Sequence, residues 1–255
     1  MSKSNSSTTT IKFKKLVSDV KKDLKITQYE AEKVIETVMC TNALYSIKDL
    51  TDFYKSQIKK NSATVRVKNL FNLDLWNVEK NKISHNTGKF FEIIGIDVSQ
   101  STTREVGGQG WNQPIIKELN NVGGLLGLIR TYINDLPHYL IEAKFEPGNY
   151  NKIQFSPSIQ ATFSNIEAAH GGKTPNYYEF FSDYENKKNY LFNSWLSEDG
   201  GRLYKKRNLG LVKEIRYEEI GKLKEGFIYA SLYQLRELSK KRSIVNPHLM
   251  RLMNF

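Results

Sequence analysis

The stretch His138-Tyr139-Leu140-Ile141-Glu142-Ala143-Lys144-Phe145-Glu146 sets a lysine between two carboxylates at every second residue. In an extended strand alternate side chains share a face, so Glu142, Lys144 and Glu146 point one way and Tyr139, Ile141, Ala143 and Phe145 the other. A carboxylate beside an ammonium can move a proton and steady a developing negative charge. Glu146 precedes Pro147, which biases it to extended backbone, and Pro147-Gly148 fits the centre of a type II turn with Gly148 at positive φ. The chain is expected to reverse there into a second strand.

That second strand is expected over Ile153–Phe163, where every odd position is apolar or proline. Gln154, Ser156, Ser158, Gln160, Thr162 and Ser164 fill the even positions, and no charge occurs from Ile153 through Ile166 although 25% of the chain is charged. A solvent-washed face would carry Lys or Glu. Amides and hydroxyls instead suit a partly enclosed surface for a polyhydroxylated ligand. The competing reading is a buried polar network that only orders the sheet. Pro157 argues for an edge or a bulge at that point.

Other candidates are scattered. Arg104 and Trp111-Asn112-Gln113 flank Gly107-Gly108-Gln109-Gly110, a glycine stretch that lacks the strand–GxGxxG–helix context of a phosphate loop. His170-Gly171-Gly172 is a short turn with an ionisable ring, and Ser197-Glu198-Asp199-Gly200-Gly201-Arg202 reads as a hairpin turn. Four histidines fall in no metal-ligand spacing, and neither a nucleophile elbow nor a P-loop is found.

The elements that must hold these residues divide in two. Residues 1–10 read as a disordered tail and 11–60 as a helical extension. Thr27/Glu30 has capping-box spacing, Ala31, Val34, Ile35, Val38 and Met39 form an apolar stripe, and Ser46 and Asp49 mark a further helix start. From about residue 61 to 255, runs of Val, Ile, Phe, Tyr and Thr punctuated by Gly, Asn and Asp indicate an α+β domain on a mainly antiparallel or mixed sheet. Phe90–Ile96 reads as a buried strand. Helical periodicity is expected over Ile115–Leu119, Leu125–Ile133 and Leu232–Leu238, the last opened by a Ser231/Gln234 capping box.

With 255 residues, 39% hydrophobic, the chain is neither collagen-like nor a disulfide-stapled miniature, and no apolar run is long enough for a membrane span. One cysteine, Cys40, and a polar start without an apolar h-region fit the reducing cytoplasm. The net charge of +11 keeps a nucleic-acid-binding module as a weak alternative, resting on Lys205-Lys206-Arg207 and Lys240-Lys241-Arg242.

Several of these stretches together resemble the sugar-nucleotide 2,3-dehydratases. They are Ser84-His85-x2-Gly88-Lys89-Phe90-Phe91, Trp111-x-Gln113-Pro114, His138-x5-Lys144-x-Glu146-Pro147-Gly148-Asn149, Gln154-x-Ser156-Pro157-x2-Gln160-Ala161-Thr162-x-Ser164-Asn165, His170-Gly171-Gly172, Ser197-Glu198-x-Gly200-Gly201-Arg202 and Val245-Asn246-x4-Arg251. The resemblance implies a Nudix-like fold used for lyase chemistry on a dTDP-linked 4-keto-6-deoxyhexose, with no metal and no cofactor. It implies proton transfer by Glu146 and Glu198, with Lys144 and His170 as donor or acid. It further implies that Trp111 stacks on base or sugar, that Arg104 and Arg202 hold the pyrophosphate, and that Gln113, His138, Asn149, Gln154, Gln160, Thr162, Asn165 and Tyr204 complete the substrate-binding set. Such chains usually carry the unit twice, whereas here it occurs once, so a homodimer is expected. Phe163 and Ile166 stand where a basic and an aromatic residue are expected. A non-catalytic nucleotide-sugar-binding protein is the rival reading.

Overall fold

The structure, a computed structural model, describes residues 3–39, 44–88, 90–99, 110–121, 123–166, 174–241 and 243–253. Three helices come first: α1 (Lys3–Leu24), α2 (Gln28–Val38) and α3 (Ile47–Lys60). The capping box expected at Thr27 and Glu30 forms, and Ser46 with Asp49 closes another at the start of α3. Thr27 accepts from Glu30 N while the Glu30 carboxylate accepts from Thr27 N, and Ser46 with Asp49 does the same for α3. Helix α1 reaches back into the stretch expected as a disordered tail. Thr10 is buried there and donates to Asn134 O at 3.3 Å, and Phe13 and Val17 pack with Ala31, Ile35 and Leu136.

Strands follow as β1 (Trp76–Val78), β2 (Lys82–His85), β3 (Glu92–Val98), β4 (Trp111–Lys117), β5 (Gly124–Ile133) and β6 (Leu136–Phe145). Next come β7 (Ile153–Ser156), β8 (Ile159–Thr162), α4 (Phe163–Ile166), β9 (Phe192–Ser197), β10 (Leu203–Tyr204) and β11 (Arg207–Glu214). The chain ends with α5 (Tyr217–Ile220), β12 (Phe227–Ala230), α6 (Leu232–Ser239) and α7 (Pro247–Met253). The larger sheet runs β12-β6-β5-β11-β9, with β7 on β6 and β8 on β5; only β5 and β11 are parallel. The smaller runs β1-β2-β3-β4-β10. The α+β class with mixed sheets is therefore the observed one. Among the described residues no helix is long and apolar enough to cross a membrane.

Three sequence expectations are overturned. Leu125–Ile133 is not helical but is β5, and Ile115–Lys117 ends β4. β5 lies inside the sheet with both faces covered, so its apolar residues run on continuously, a pattern that periodicity cannot tell from a buried helix. Nor is Phe90–Ile96 buried: β3 starts at Glu92, its residues are half-buried or exposed, and Phe90 and Phe91 are exposed. The small sheet buries only Ile115 among its strand residues.

The larger sheet carries the core on both faces. Leu50 and Tyr54 of α3 join Phe155, Leu235 and Leu249 on one side, so α3 shares the core of the sheets that follow it. Tyr177, Phe181 and Ile220 cover the other. Helix α2 is locked to β5 through Arg130, whose Nη2 donates to Glu32 at 2.5 Å and Glu36 at 2.8 Å and whose Nη1 donates to Glu214 at 2.6 Å.

One feature of this sheet opens the site. Ile129–Ile133 of β5 pairs with β6, but Gly124–Gly127 pairs with β8, and Glu142–Phe145 of β6 pairs with β7. The strands part, and the chain segment through Pro157 fills the wedge between them. The single strand expected over Ile153–Phe163 is thus two, broken where Pro157 suggested. Ser158 spans the split, accepting from Ile129 N at 2.8 Å and donating to Leu140 O at 2.6 Å.

Candidate functional site

Where β5 and β6 separate, a cavity of about 360 Å³ opens, within the range of small-molecule sites. Lys144 and Glu146 reach it from the end of β6, Gln160 and Thr162 from β8, Asn165 from α4, and Glu198 from the turn after β9. Six residues singled out in the sequence are therefore brought together. Leu126, Ala161, Leu203, Lys206, Asn208 and His248 complete the wall.

The alternation expected around Lys144 is observed. Its Nζ lies 3.5 Å from Glu142 Oε2, and both side chains are about three-quarters buried. Burial pushes the Glu146 carboxyl above its ordinary range; Lys144 pulls it back and Glu142 adds to the rise. Glu142 is raised by burial in the same way. Gln160 Nε2 donates to Glu146 Oε1 at 2.6 Å, and Asn246 Nδ2 donates in turn to Gln160 Oε1 and Ser156 Oγ, each at 2.8 Å. This relay pins the carboxyl across the split. The reversal after Glu146 also forms, with Asn149 N donating to Glu146 O at 3.1 Å. Its positive φ belongs to Lys152 (65°) rather than Gly148, so the turn is not the expected type II.

Glu198 is held on all sides. Oε2 accepts from Arg251 Nη1 at 2.7 Å, and Oε1 accepts from Asn208 Nδ2 and stands 3.3 Å from His248 Nδ1. Glu198 N donates to Lys206 O at 3.0 Å, closing the hairpin expected between β9 and β11. Lys206 in turn pairs with Glu118 at 2.7 Å.

Other predicted site residues lie elsewhere. His138 is in the core, its Nδ1 bonded to Leu136 O at 2.9 Å and its Nε2 accepting from Leu44 N at 3.2 Å, so both ring nitrogens are spent on structure. Gln154 donates to Ser243 O at 2.7 Å and is buried. With Ser156 and Ser158 it makes the first half of the uncharged row the sheet-ordering network, and only Gln160 and Thr162 reach the cavity. Asn149 closes its own turn, donating to Lys152 O at 3.4 Å. Trp111 donates to Gln113 at 2.8 Å and Gln113 to Gly201 O at 2.7 Å, on the small sheet. Arg202 is exposed and pairs with Asp199 at 2.5 Å, and the Tyr204 ring lies under Lys205. Phe163 packs on Tyr184 and Trp195. Arg104 and His170 lie outside the described residues.

Residues 47–254 match the profile of a family described as NDP-hexose 2,3-dehydratase. The chain belongs to this family. A Saccharopolyspora spinosa protein named dTDP-4-dehydro-6-deoxy-alpha-D-glucopyranose 2,3-dehydratase is 36% identical over 162 residues, 64% of this chain and 32% of that protein. Proteins of the same name from Streptomyces violaceoruber and Amycolatopsis orientalis are 33% and 30% identical, over 64% and 68% of this chain and 35% and 37% of their own lengths. The chain spans about a third of the length of these curated relatives. In this NDP-hexose 2,3-dehydratase member the matched span begins with α3, and α1 and α2 precede it.

Sequence reading missed Lys206, Asn208 and His248. Lys206 stands in the sequence only as part of the basic cluster behind the nucleic-acid alternative, and Asn208 gives no local signal at the start of β11. His248 falls inside the Val245–Arg251 ending, of which only the ends stood out.

Proposed function

We propose that this chain removes the C2 hydroxyl, as water, from a dTDP-linked 4-keto-6-deoxyhexose, giving a 3,4-diketo sugar, in the cavity between β6, β8 and α7. Family membership and the names of the relatives support the substrate class. The observation that carries the reading is the pairing, on one wall, of a Glu146 carboxyl raised by burial with Lys144 beside it.

The chemistry follows from the 4-keto group. It acidifies the C3 proton and takes up the electron pair, so elimination needs no redox step. The protein must supply a base at C3, a donor to the developing enolate oxygen, and an acid for the departing hydroxyl. Lys144 is the donor. Glu146 is assigned as the acid: burial raises its carboxyl above the ordinary range, and Gln160 holds Oε1, leaving Oε2 for proton transfer. Glu198, with both oxygens engaged, acts through its neighbours. Loss of water leaves an enol at C2–C3 that tautomerises to the diketone.

The mixed sheet flanked by helices is read as Nudix-like, α1 and α2 as an extension, and the setting as cytosolic, which the single cysteine suits. Nucleic acid has little support. Lys206 is paired in the cavity, Arg207 stacks on Trp195 at 4.3 Å and Lys240 pairs with Glu237.

Incubation of the chain with dTDP-4-keto-6-deoxyglucose, followed by mass spectrometry, tests the reading. Loss of one water from the sugar nucleotide is expected. Binding without loss of water would return the protein to the non-catalytic alternative.

A further inference from the structure

His248 lines the same cavity as Glu146, from the first turn of α7. Pro247 opens that helix and Asn246 Oδ1 accepts from Leu249 N at 2.8 Å, so the backbone under the ring is fixed. The ring keeps about a quarter of its surface exposed, but Nδ1 is sealed from solvent and forms no hydrogen bond of its own, standing 3.3 Å from Glu198 Oε1. A structural histidine looks different in this chain, for His138 satisfies both nitrogens on backbone groups.

We infer that His248 is the base that takes the C3 proton, with Glu198 the positioning residue behind it. The inference rests on the dehydratase reading above and names the base that reading requires.

The tautomer follows from the partner. The neutral ring is assigned its proton on Nδ1, the nitrogen 3.3 Å from Glu198 Oε1, which leaves the lone pair on Nε2. Arg251 and Asn208 hold Glu198 in place. Burial lowers the ring's proton affinity, Glu198 opposes it, and Arg251 and Lys206 lower it further, with the net effect downward. In the step itself the C3–H bond breaks and its proton passes to Nε2. The electron pair forms C3=C4 and leaves its charge on the C4 oxygen beside Lys144. That pair then returns to form C2=C3 as the C2–O bond breaks, and the leaving oxygen takes the Glu146 proton. The imidazolium faces Glu198, which holds it until the proton is passed on during tautomerisation.

The test compares wild type with H248Q and H248A, using dTDP-4-keto-6-deoxyglucose as substrate and dTDP as a binding probe. Turnover by H248Q should fall at least about 100-fold, the scale of a general base, with dTDP affinity and melting temperature kept. In wild type, kcat/KM should drop as pH falls through the neutral-to-charged transition of the ring, below its ordinary value of about 6.5. That limb should be absent in H248A and reappear, following the titration of the added base, when imidazole restores the rate. An H248Q retaining more than a tenth of the activity overturns the inference while dehydration by wild type stands. So does an unmoved acid limb in a folded variant. A wild type that binds dTDP but releases no water overturns the dehydratase reading itself, and the inference with it.

Discussion

Glu146 and Gln160 meet at 2.6 Å across the split in the sheet, and this bond decides what each substitution does. E146Q keeps the shape and removes the proton, so turnover should fall by about 10²–10⁴ with the fold intact. Activity above about a tenth of wild type in a mass assay would take Glu146 out of proton transfer. Q160L deletes the donor to Glu146 and the acceptor for Asn246 at once. Affinity for dTDP-glucose, which lacks the 4-keto group and cannot eliminate, should weaken by about 1–3 kcal/mol in calorimetry. Unchanged affinity would make Gln160 structural, like Gln154. Residues of this kind were legible in part. Lys144, Glu146 and Gln160 stood out because period-two alternation survives in any strand. It could not show that the uncharged row divides at Pro157, since that depends on which strand each half pairs with. His248 left no trace because a lone ring on a short helix means nothing until Glu198, some fifty residues earlier, is folded against it.

At the scale of elements, what was readable was local. Both expected capping boxes formed, and the helix start at Ser46 proved to be a third, because a cap needs only residues three apart. β5 was misread as helix because its apolar continuity comes from layers supplied by distant parts of the chain. The seam between α2 and β5 was not legible at all, since Arg130 finds Glu32 and Glu36 only in the fold. That seam holds an imperfection. Lys33 Nζ is buried with no hydrogen-bond partner, and burial pushes its pKa down to about 8, against the pull of Glu36 and Glu30. Below about 8 the folded and unfolded chains both hold the proton, so the cost of the buried charge is fully present. Between there and the ordinary 10.5 the folded chain has lost the proton while the unfolded chain keeps it, so stability rises with pH. K33M should therefore stabilise the protein by about 1–3 kcal/mol near neutral pH, the cost of an unpaired buried polar group. It should also flatten the rise. Urea midpoints at about pH 7 and about pH 9.5 check both. A K33M midpoint at or below wild type at neutral pH refutes the assignment.

For the whole molecule, the distribution of apolar surface bears on assembly. The stripe on α2 does not itself demand a second chain, because α1 covers Ile35 and Ala31 within the same chain and leaves Val34 and Val38 outside. The small sheet differs. In the segment before it and along its edge, Phe71 is 80% exposed and Val67 fully so, and Val65, Leu70, Leu75, Phe90 and Phe91 are also exposed. Contiguous exposed apolar surface marks an interaction site more often than a free surface, and these side chains are the ones a partner would cover. A two-fold pair is the simplest closed way to cover it, and a standard interface needs only about 800 Å² from each partner. A homodimer of about twice 29.5 kDa is expected in sedimentation at micromolar concentration. The double variant V67E/F71E should bring the mass down to one chain without lowering the melting temperature, because neither side chain is packed in this chain's core. A wild type that already sediments as a single chain rules out the pairing. A V67E/F71E that remains a dimer moves the interface away from the small sheet.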